Sequence, residues 1–194
     1  MVSKNQIKLI TSLQQKKFRN VEKMFIAEGI KVIQELLNSN FELQYLYTTL
    51  NDFDSVKPSQ KAIISETELK KITALSNANS CLAVFKIPNP NPKKAKGLIL
   101  VLDDIRDPGN LGTILRLCDW YGIEQLICST STVDIYNPKV VQATMGSISR
   151  VNVNYMDLDL FLKETTLSIF GTFMDGKNIY KEVLPKEGII IMGN

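Results

Sequence analysis

Hydrophobic and polar residues alternate differently on the two sides of residue 97 in this 194-residue chain. In the first part, Ser3 stands before Ile7, Ile10 and Leu13, whose near-helical spacing predicts a capped helix. MFIAE (24–28) reads as a short strand and GIKVIQELLNSN (29–40) as a helix ending at Asn38–Asn40. FELQYLYTT (41–49) has strand composition, Glu66 to Leu75 helical patterning, and CLAVFKI (81–87) strand composition. Beyond residue 97 the alternation is more regular. LILVLDD (98–104) is a near-continuous apolar run, as in a parallel strand covered on both faces. A helix is predicted from Asn110 to Tyr121, stopped by Gly122. EQLICS (124–129), VNVNYM (151–156), LSIFGTF (167–173) and GIIIMGN (188–194) read as strands. Pro138 to about Met145 and DLDLFLKET (157–165) read as helices. Strand–helix alternation of this kind implies a parallel sheet. The segment IPNPNPKKAKG (87–97), with prolines at alternate positions, disfavours helix and reads as a linker. The expected class is α/β: a small N-terminal α/β domain over 1–88, a linker over 89–96 and a parallel-sheet domain over 97–194.

Composition narrows the chemistry. No stretch approaches the roughly 18 apolar residues of a membrane span, and MVSKNQIK has no apolar signal-peptide core. Cys81, Cys118 and Cys128 are isolated in apolar runs, which suits reduced core residues of a cytoplasmic protein. The chain contains no histidine, which excludes Ser-His-Asp and Cys-His catalysis and Cys/His zinc sites; no metal is expected. The net charge of +3 hides an asymmetry. Residues 1–96 carry 15 basic and 8 acidic side chains, or +7, and residues 97–194 carry 8 and 12, or −4. A basic first half suits a polyanionic partner, and a lysine-rich solvated surface accounts for it equally.

In parallel sheets, ligands bind beyond the carboxyl ends of the strands. Here those ends are residues 103–110, 129–137, 171–176 and 192–194. The first contains DPGNLGTILR (107–116). Pro108 and Gly109 shape a turn, and Asn110 is a natural helix N-cap. Arg116 follows six residues later, about 120° around the helix and about 9 Å along it from Asn110. Both can border a cleft, or Arg116 can pair structurally with Asp119 or Asp103. GxxxxGK[ST] and GxGxxG are absent, which disfavours a nucleoside triphosphatase or a nicotinamide enzyme.

DPGNLGTILRLCDWYGI (107–123) resembles motif 1 of the SpoU/TrmH family of RNA ribose 2′-O-methyltransferases, within the SPOUT superfamily. KKFRNVEKMFIAEGIKVIQELL (16–37) resembles that family's N-terminal substrate-binding domain, itself similar to small ribosomal RNA-binding proteins. NPKVVQATMGSISRVNV (137–153) and GIIIMGN resemble, in the right order, the segment after the second catalytic-domain strand and the start of motif 2. The resemblance implies a trefoil-knotted methyltransferase domain. It implies S-adenosylmethionine as cofactor, RNA (ribosomal RNA foremost) as partner, and a homodimer when full length. Asn110 and Arg116 match the family's active-site pair, with Arg116 placing the nucleotide and supporting charge on the attacking oxygen. Thr172, Phe173 and Met174, together with Ile191, Met192 and Gly193, match the cofactor-binding loops. Lys16, Lys17 and Arg19 are the first candidates for RNA phosphate contacts, followed by Lys93, Lys94 and Lys96. Phe18 is placed to stack on a base or to pack the first helix.

The family's motif 2 continues past GN into a glutamate and a Gly-rich turn, followed by motif 3, whereas this sequence stops at Asn194. The expectation is a sequence cut short within motif 2, with the knot incomplete, cofactor binding weak, and methylation by these 194 residues poor or absent. The rival readings are a non-catalytic RNA-binding protein with a remnant methyltransferase domain, and an unrelated α/β nucleotide-binding domain.

Overall fold

The computed structural model describes residues 1–89, 97–183 and 185–193. Two compact units divide the chain. One is Met1–Asn89 together with Asp134–Ser149; the other comprises Pro90–Val133 and Arg150–Asn194. Lys93, Lys94 and Lys96 lie outside the described residues, as does Asn194.

The first unit opens with α1 (Lys4–Ser12). Its start is fixed by a capping box, in which the Ser3 hydroxyl accepts the Gln6 N–H and the Gln6 side chain accepts the Ser3 N–H. A further short helix, α2 (Lys16–Glu22), ends at Lys23 in the left-handed conformation. Then follow β1 (Met24–Glu28), α3 (Ile30–Leu37) and β2 (Leu43–Thr48). The short β3 (Lys61–Ile63), α4 (Glu66–Leu69) and β4 (Cys81–Lys86) complete the N-terminal run. The sheet order is β1-β4-β2-β3, antiparallel except for the β2–β3 pair. One core cluster joins Ile10 of α1 and its C-cap Leu13 to Ile26, Tyr47, Leu82 and Val84 of the sheet. Phe25 anchors a second contact set, with Phe41, Phe85 and Tyr136 ring centroids 5.3, 5.8 and 4.9 Å away.

Tyr136 comes from the segment Asp134–Ser149, which carries α6 (Pro138–Thr144) against β1. The helix foreseen over Glu66–Leu75 is shorter than its patterning suggests. After Leu69 the chain turns so that Glu28, buried at the end of β1, accepts the Thr73 hydroxyl and the Ala74 N–H. Neither α2 nor β3 was legible in the apolar pattern.

In the second unit, β5 (Leu98–Asp103), β6 (Gln125–Ser129), β7 (Asn152–Met156), β8 (Ile169–Gly171) and β9 (Gly188–Gly193) form one parallel sheet in the order β7-β6-β5-β9-β8. The continuous apolar runs read as β5 and β6 are buried accordingly. Helix α5 (Pro108–Trp120) connects β5 to β6 and buries Leu111, Leu115 and Cys118. Helix α7 (Leu158–Glu164), capped by Asp157, lies between β7 and β8. Its Leu158, Phe161 and Leu162 pack on a cluster of Ile99, Val101, Ile127 and Ile189. Successive strands build outward from β5 on one side as β6 and β7, and on the other as β9 and β8. The order therefore switches between β5 and β9, where parallel α/β sheets leave a crevice at their carboxyl edge.

Candidate active site at the carboxyl edge of the parallel sheet

Register brings four strand ends to one edge. Asp103 is paired with Gly193, Leu102 with Cys128, and Gly171 with Ile191. The edge is therefore formed by Asp103 and Asp104, Ser129, Gly171–Thr172 and Met192–Gly193.

The loop from β5 into α5 is held by side chains of the loop after β6. The Asp104 N–H donates to Ser129 Oγ at 2.9 Å, and the Ile105 N–H to Thr132 Oγ1 at 3.3 Å. The Val133 N–H donates to the Ile105 carbonyl at 2.9 Å, and Tyr155 Oη to the Val133 carbonyl at 2.6 Å. Thus the two loops form one polar cluster above the strand ends.

Helix α5 begins earlier than its sequence suggests. Asp107, not Asn110, is the N-cap: its Oδ1 accepts the Asn110 N–H at 2.7 Å, and Pro108 occupies the first turn, where its missing N–H costs nothing. Asn110 is thereby released from capping and stands exposed at the third helical position. Arg116 is also exposed, one and two-thirds turns further on. The structural pairing open to it does not form. Asp119 instead accepts Arg150 Nε at 2.9 Å, and Arg116 has no hydrogen bond or ion pair among the described residues. A solvent-facing, unpaired arginine suits a substrate contact.

The six residues expected to hold cofactor fall together. Thr172 leaves β8 with its N–H and Oγ1 both 3.2 Å from the Ile191 carbonyl. Phe173, Met174 and Met192 expose apolar surface there. Gly193 is required: a Cβ would lie 2.5 Å from the Asp103 carbonyl oxygen and 2.9 Å from Asp103 Cβ.

The expected RNA-contacting residues separate. Lys16 and Lys17 are exposed on α2, with Lys17 Nζ 4.8 Å from the Phe18 ring centroid. Arg19 must be withdrawn as a phosphate contact. It is 2% exposed, and its guanidinium donates to the Leu13 and Gln14 carbonyls and, through Nε and Nη2, to Asp134 Oδ2 at 3.0 and 2.6 Å. Among the described residues no group of His, Cys, Asp or Glu has a metal-binding arrangement, and no helix is long and apolar enough to cross a membrane. All three cysteines are free and buried, and burial pushes the Cys81 and Cys118 thiols to about 11 and the Cys128 thiol to about 12. They are unsuited to nucleophilic work at neutral pH.

Sequence reasoning missed Asp104, Arg106, Asp107, Ser129 and Thr132. Asp107 had a readable signal, Asp-Pro before a helix. The others interact across loops and had none.

A switched parallel sheet with an exposed Asn–Arg helix at its carboxyl edge defines a parallel α/β domain with a candidate ligand site at the switch. Residues 97–194 match the SpoU rRNA Methylase family, and residues 4–83 match the MRM3-like substrate binding domain. The chain belongs to the SpoU rRNA methylase family. It is 27% identical to the 23S rRNA (guanosine(2553)-2′-O)-methyltransferase RlmP of Bacillus subtilis, over 99% of this chain and 80% of that protein. A TrmH-family RNA methyltransferase structure from Porphyromonas gingivalis superposes with a TM-score of 0.89 at 33% identity, covering 100% of this chain and 81% of that one. An AdoMet-bound rRNA methyltransferase from Sinorhizobium meliloti gives 0.83 at 25%, covering 100% and 80%.

Proposed function

We propose that this protein transfers a methyl group from S-adenosylmethionine to a ribose 2′-hydroxyl of ribosomal RNA. The observation that carries the reading is the common edge at which α5 leaves β5, Thr172 leaves β8, and β9 ends at Gly193. The family membership and the substrate-binding domain match support it.

S-adenosylmethionine would supply an electrophilic methyl group on its sulfonium, from which a neutral thioether leaves as the methyl is transferred. Thr172, Phe173, Met174, Ile191, Met192 and Gly193 would hold it, through backbone groups and apolar contact. The chain's remaining task is to orient and to stabilise charge. Arg116 holds a nucleotide phosphate and faces the oxygen that loses its proton, favouring the developing negative charge. Its guanidinium is a donor throughout and does not itself take the proton, which passes to a substrate phosphate or to water as the O–methyl bond forms and the thioether departs. Asn110, freed from capping, offers an amide to the ribose. Lys16 and Lys17 add phosphate contacts from the first unit, each contributing to a salt-sensitive affinity.

We place its action in the cytoplasm and its working form as a homodimer. The surface of α5 and its C-cap supports the dimer, since Leu117, Trp120 and Tyr121 are exposed there. The test is methylation of ribosomal RNA by the purified chain with labelled cofactor, followed by mapping of the product. A ribose 2′-O-methyl supports the assignment, and a base-methylated product overturns it. Sedimentation at micromolar concentration tests the dimer.

A further inference from the structure

Arg106 lies between β5 and α5 in a setting that capping and strand pairing do not require. Its neighbour Asp104 adopts the left-handed backbone region, φ +53°, uncommon for a residue with a side chain. That conformation is held at both ends. The Asp104 N–H donates to Ser129 Oγ, and the carboxylate accepts Arg106 Nε at 2.9 Å and Nη2 at 2.8 Å. The Ser131 hydroxyl also reaches the carboxylate, and the Arg106 contact, the largest influence, holds the carboxyl below its ordinary range.

The two-point contact fixes the plane of the guanidinium and leaves Nη1 and its outer edge unused. Arg106 is 77% exposed and has no other partner among the described residues. An ion pair so open to solvent adds little to stability. What it does is aim a cation outward at the carboxyl edge of β5. That cation is one residue from Asp107, whose carboxylate sets the position of Asn110.

We propose that Arg106 is a substrate-binding residue that grips an RNA phosphate beside the ribose served by Asn110 and Arg116, with Asp104 as its positioning residue. The inference rests on the RNA methyltransferase reading above. A guanidinium presents paired donors that match two phosphate oxygens, which a lysine cannot reproduce. Held in plane by Asp104, it loses less rotamer freedom on binding than a free arginine. The contact is to the backbone, so it adds affinity without reading base sequence.

The experiment uses the whole chain, with ribosomal RNA as the probe, in filter binding across a salt series. Arg106→Ala is expected to weaken RNA binding about tenfold at low salt and to lower the slope of log affinity against log salt by about one. The KM for RNA rises while kcat stays within about twofold, and cofactor affinity by calorimetry is unchanged. Arg106→Lys restores the slope and only part of the affinity. Asp104→Asn keeps the slope and loses affinity, as expected of a residue acting through Arg106. An Arg106→Ala protein with wild-type slope and KM overturns the proposal alone. So does one that loses cofactor affinity and thermal stability together, which would mark a structural role, or one that changes only its oligomeric state. A wild-type chain that neither binds nor methylates ribosomal RNA overturns the methyltransferase reading itself.

Discussion

Asp107 and Asn110 divide two tasks that one side chain cannot perform together. A capping carboxylate is committed to backbone N–H groups, so the residue left to meet a ligand must be another one on the same turn. Arg116, exposed and unpaired among the described residues, has no folding role to lose. Arg116→Ala is therefore expected to abolish methyl transfer while shifting stability by no more than about 0.5 kcal/mol. Methylation assays beside thermal melts check this, and residual activity near wild type would remove Arg116 from the mechanism. Gly193 presents the opposite case, a position defined by space. Gly193→Ala drives a Cβ against the Asp103 carbonyl, which is backbone and cannot rotate away. The end of β9 must then part from β5, at a cost of about 1–3 kcal/mol. Cofactor titration by calorimetry should show binding lost; unchanged affinity would place the cofactor elsewhere.

At the scale of elements, α5 is set by its cap and β1 by what its last residue accepts. Asp107→Ala is expected to cost about 1 kcal/mol and to reduce activity beyond that loss, because the first turn carrying Asn110 frays. Comparing urea midpoints with kcat separates the two effects. Glu28 makes a pH-dependent contribution. Burial raises its carboxyl above the ordinary 4.5, opposed by the hydrogen bonds from Thr73 and Ala74. The folded state then holds the proton to higher pH than the unfolded state does. The group's contribution is fully present below 4.5 and declines as pH rises through the raised value. Glu28→Gln should flatten that decline in denaturant titrations at about pH 5 and about pH 8; an unchanged pH profile would assign the dependence to other groups. The elements themselves were largely legible, because β5, β6 and α3 announce themselves by apolar runs and helical spacing. Helix α2 was hidden because KKFRNVE is polar on nearly every face, and β3 because three residues carry no period. In the candidate site, Asn110, Arg116 and the two strand-end triplets come from the resemblance to the family, and their placement near the carboxyl edge of the sheet follows from the strand and helix pattern around them. The clamp of Asp104 by Ser129 was not legible, since its partners are 25 residues apart. Arg19 was misread for the same reason: its partner lies 115 residues away, and a basic run gives no sign of which member is buried.

At the scale of the whole molecule, the first unit is not a continuous stretch of chain. The polypeptide passes into it at Asp134, supplies Tyr136 to the Phe25 contact set and α6 to β1, and leaves after Ser149. Asp134 also neutralises Arg19, a cation that burial isolates from solvent. Removing one partner of such a pair leaves the other charged and unsolvated, which costs about 3–5 kcal/mol. That is a large share of the 5–15 kcal/mol typical of a folded domain. Asp134→Ala is thus expected to lower stability by that amount, far beyond a surface substitution. A fragment of residues 1–89 loses the same counter-charge together with the Tyr136 ring and α6. It should therefore show weaker near-ultraviolet dichroism and bind more hydrophobic dye than the whole chain. Adding Arg19→Met to the fragment tests the cause, because it removes the unpaired charge and fills similar volume. If the charge dominates, the double change recovers cooperative unfolding; if the missing α6 surface dominates, it does not. A wild-type fragment that unfolds cooperatively at the temperature of the whole chain would show that Asp134–Ser149 is dispensable, and that residues 1–89 hold a complete core.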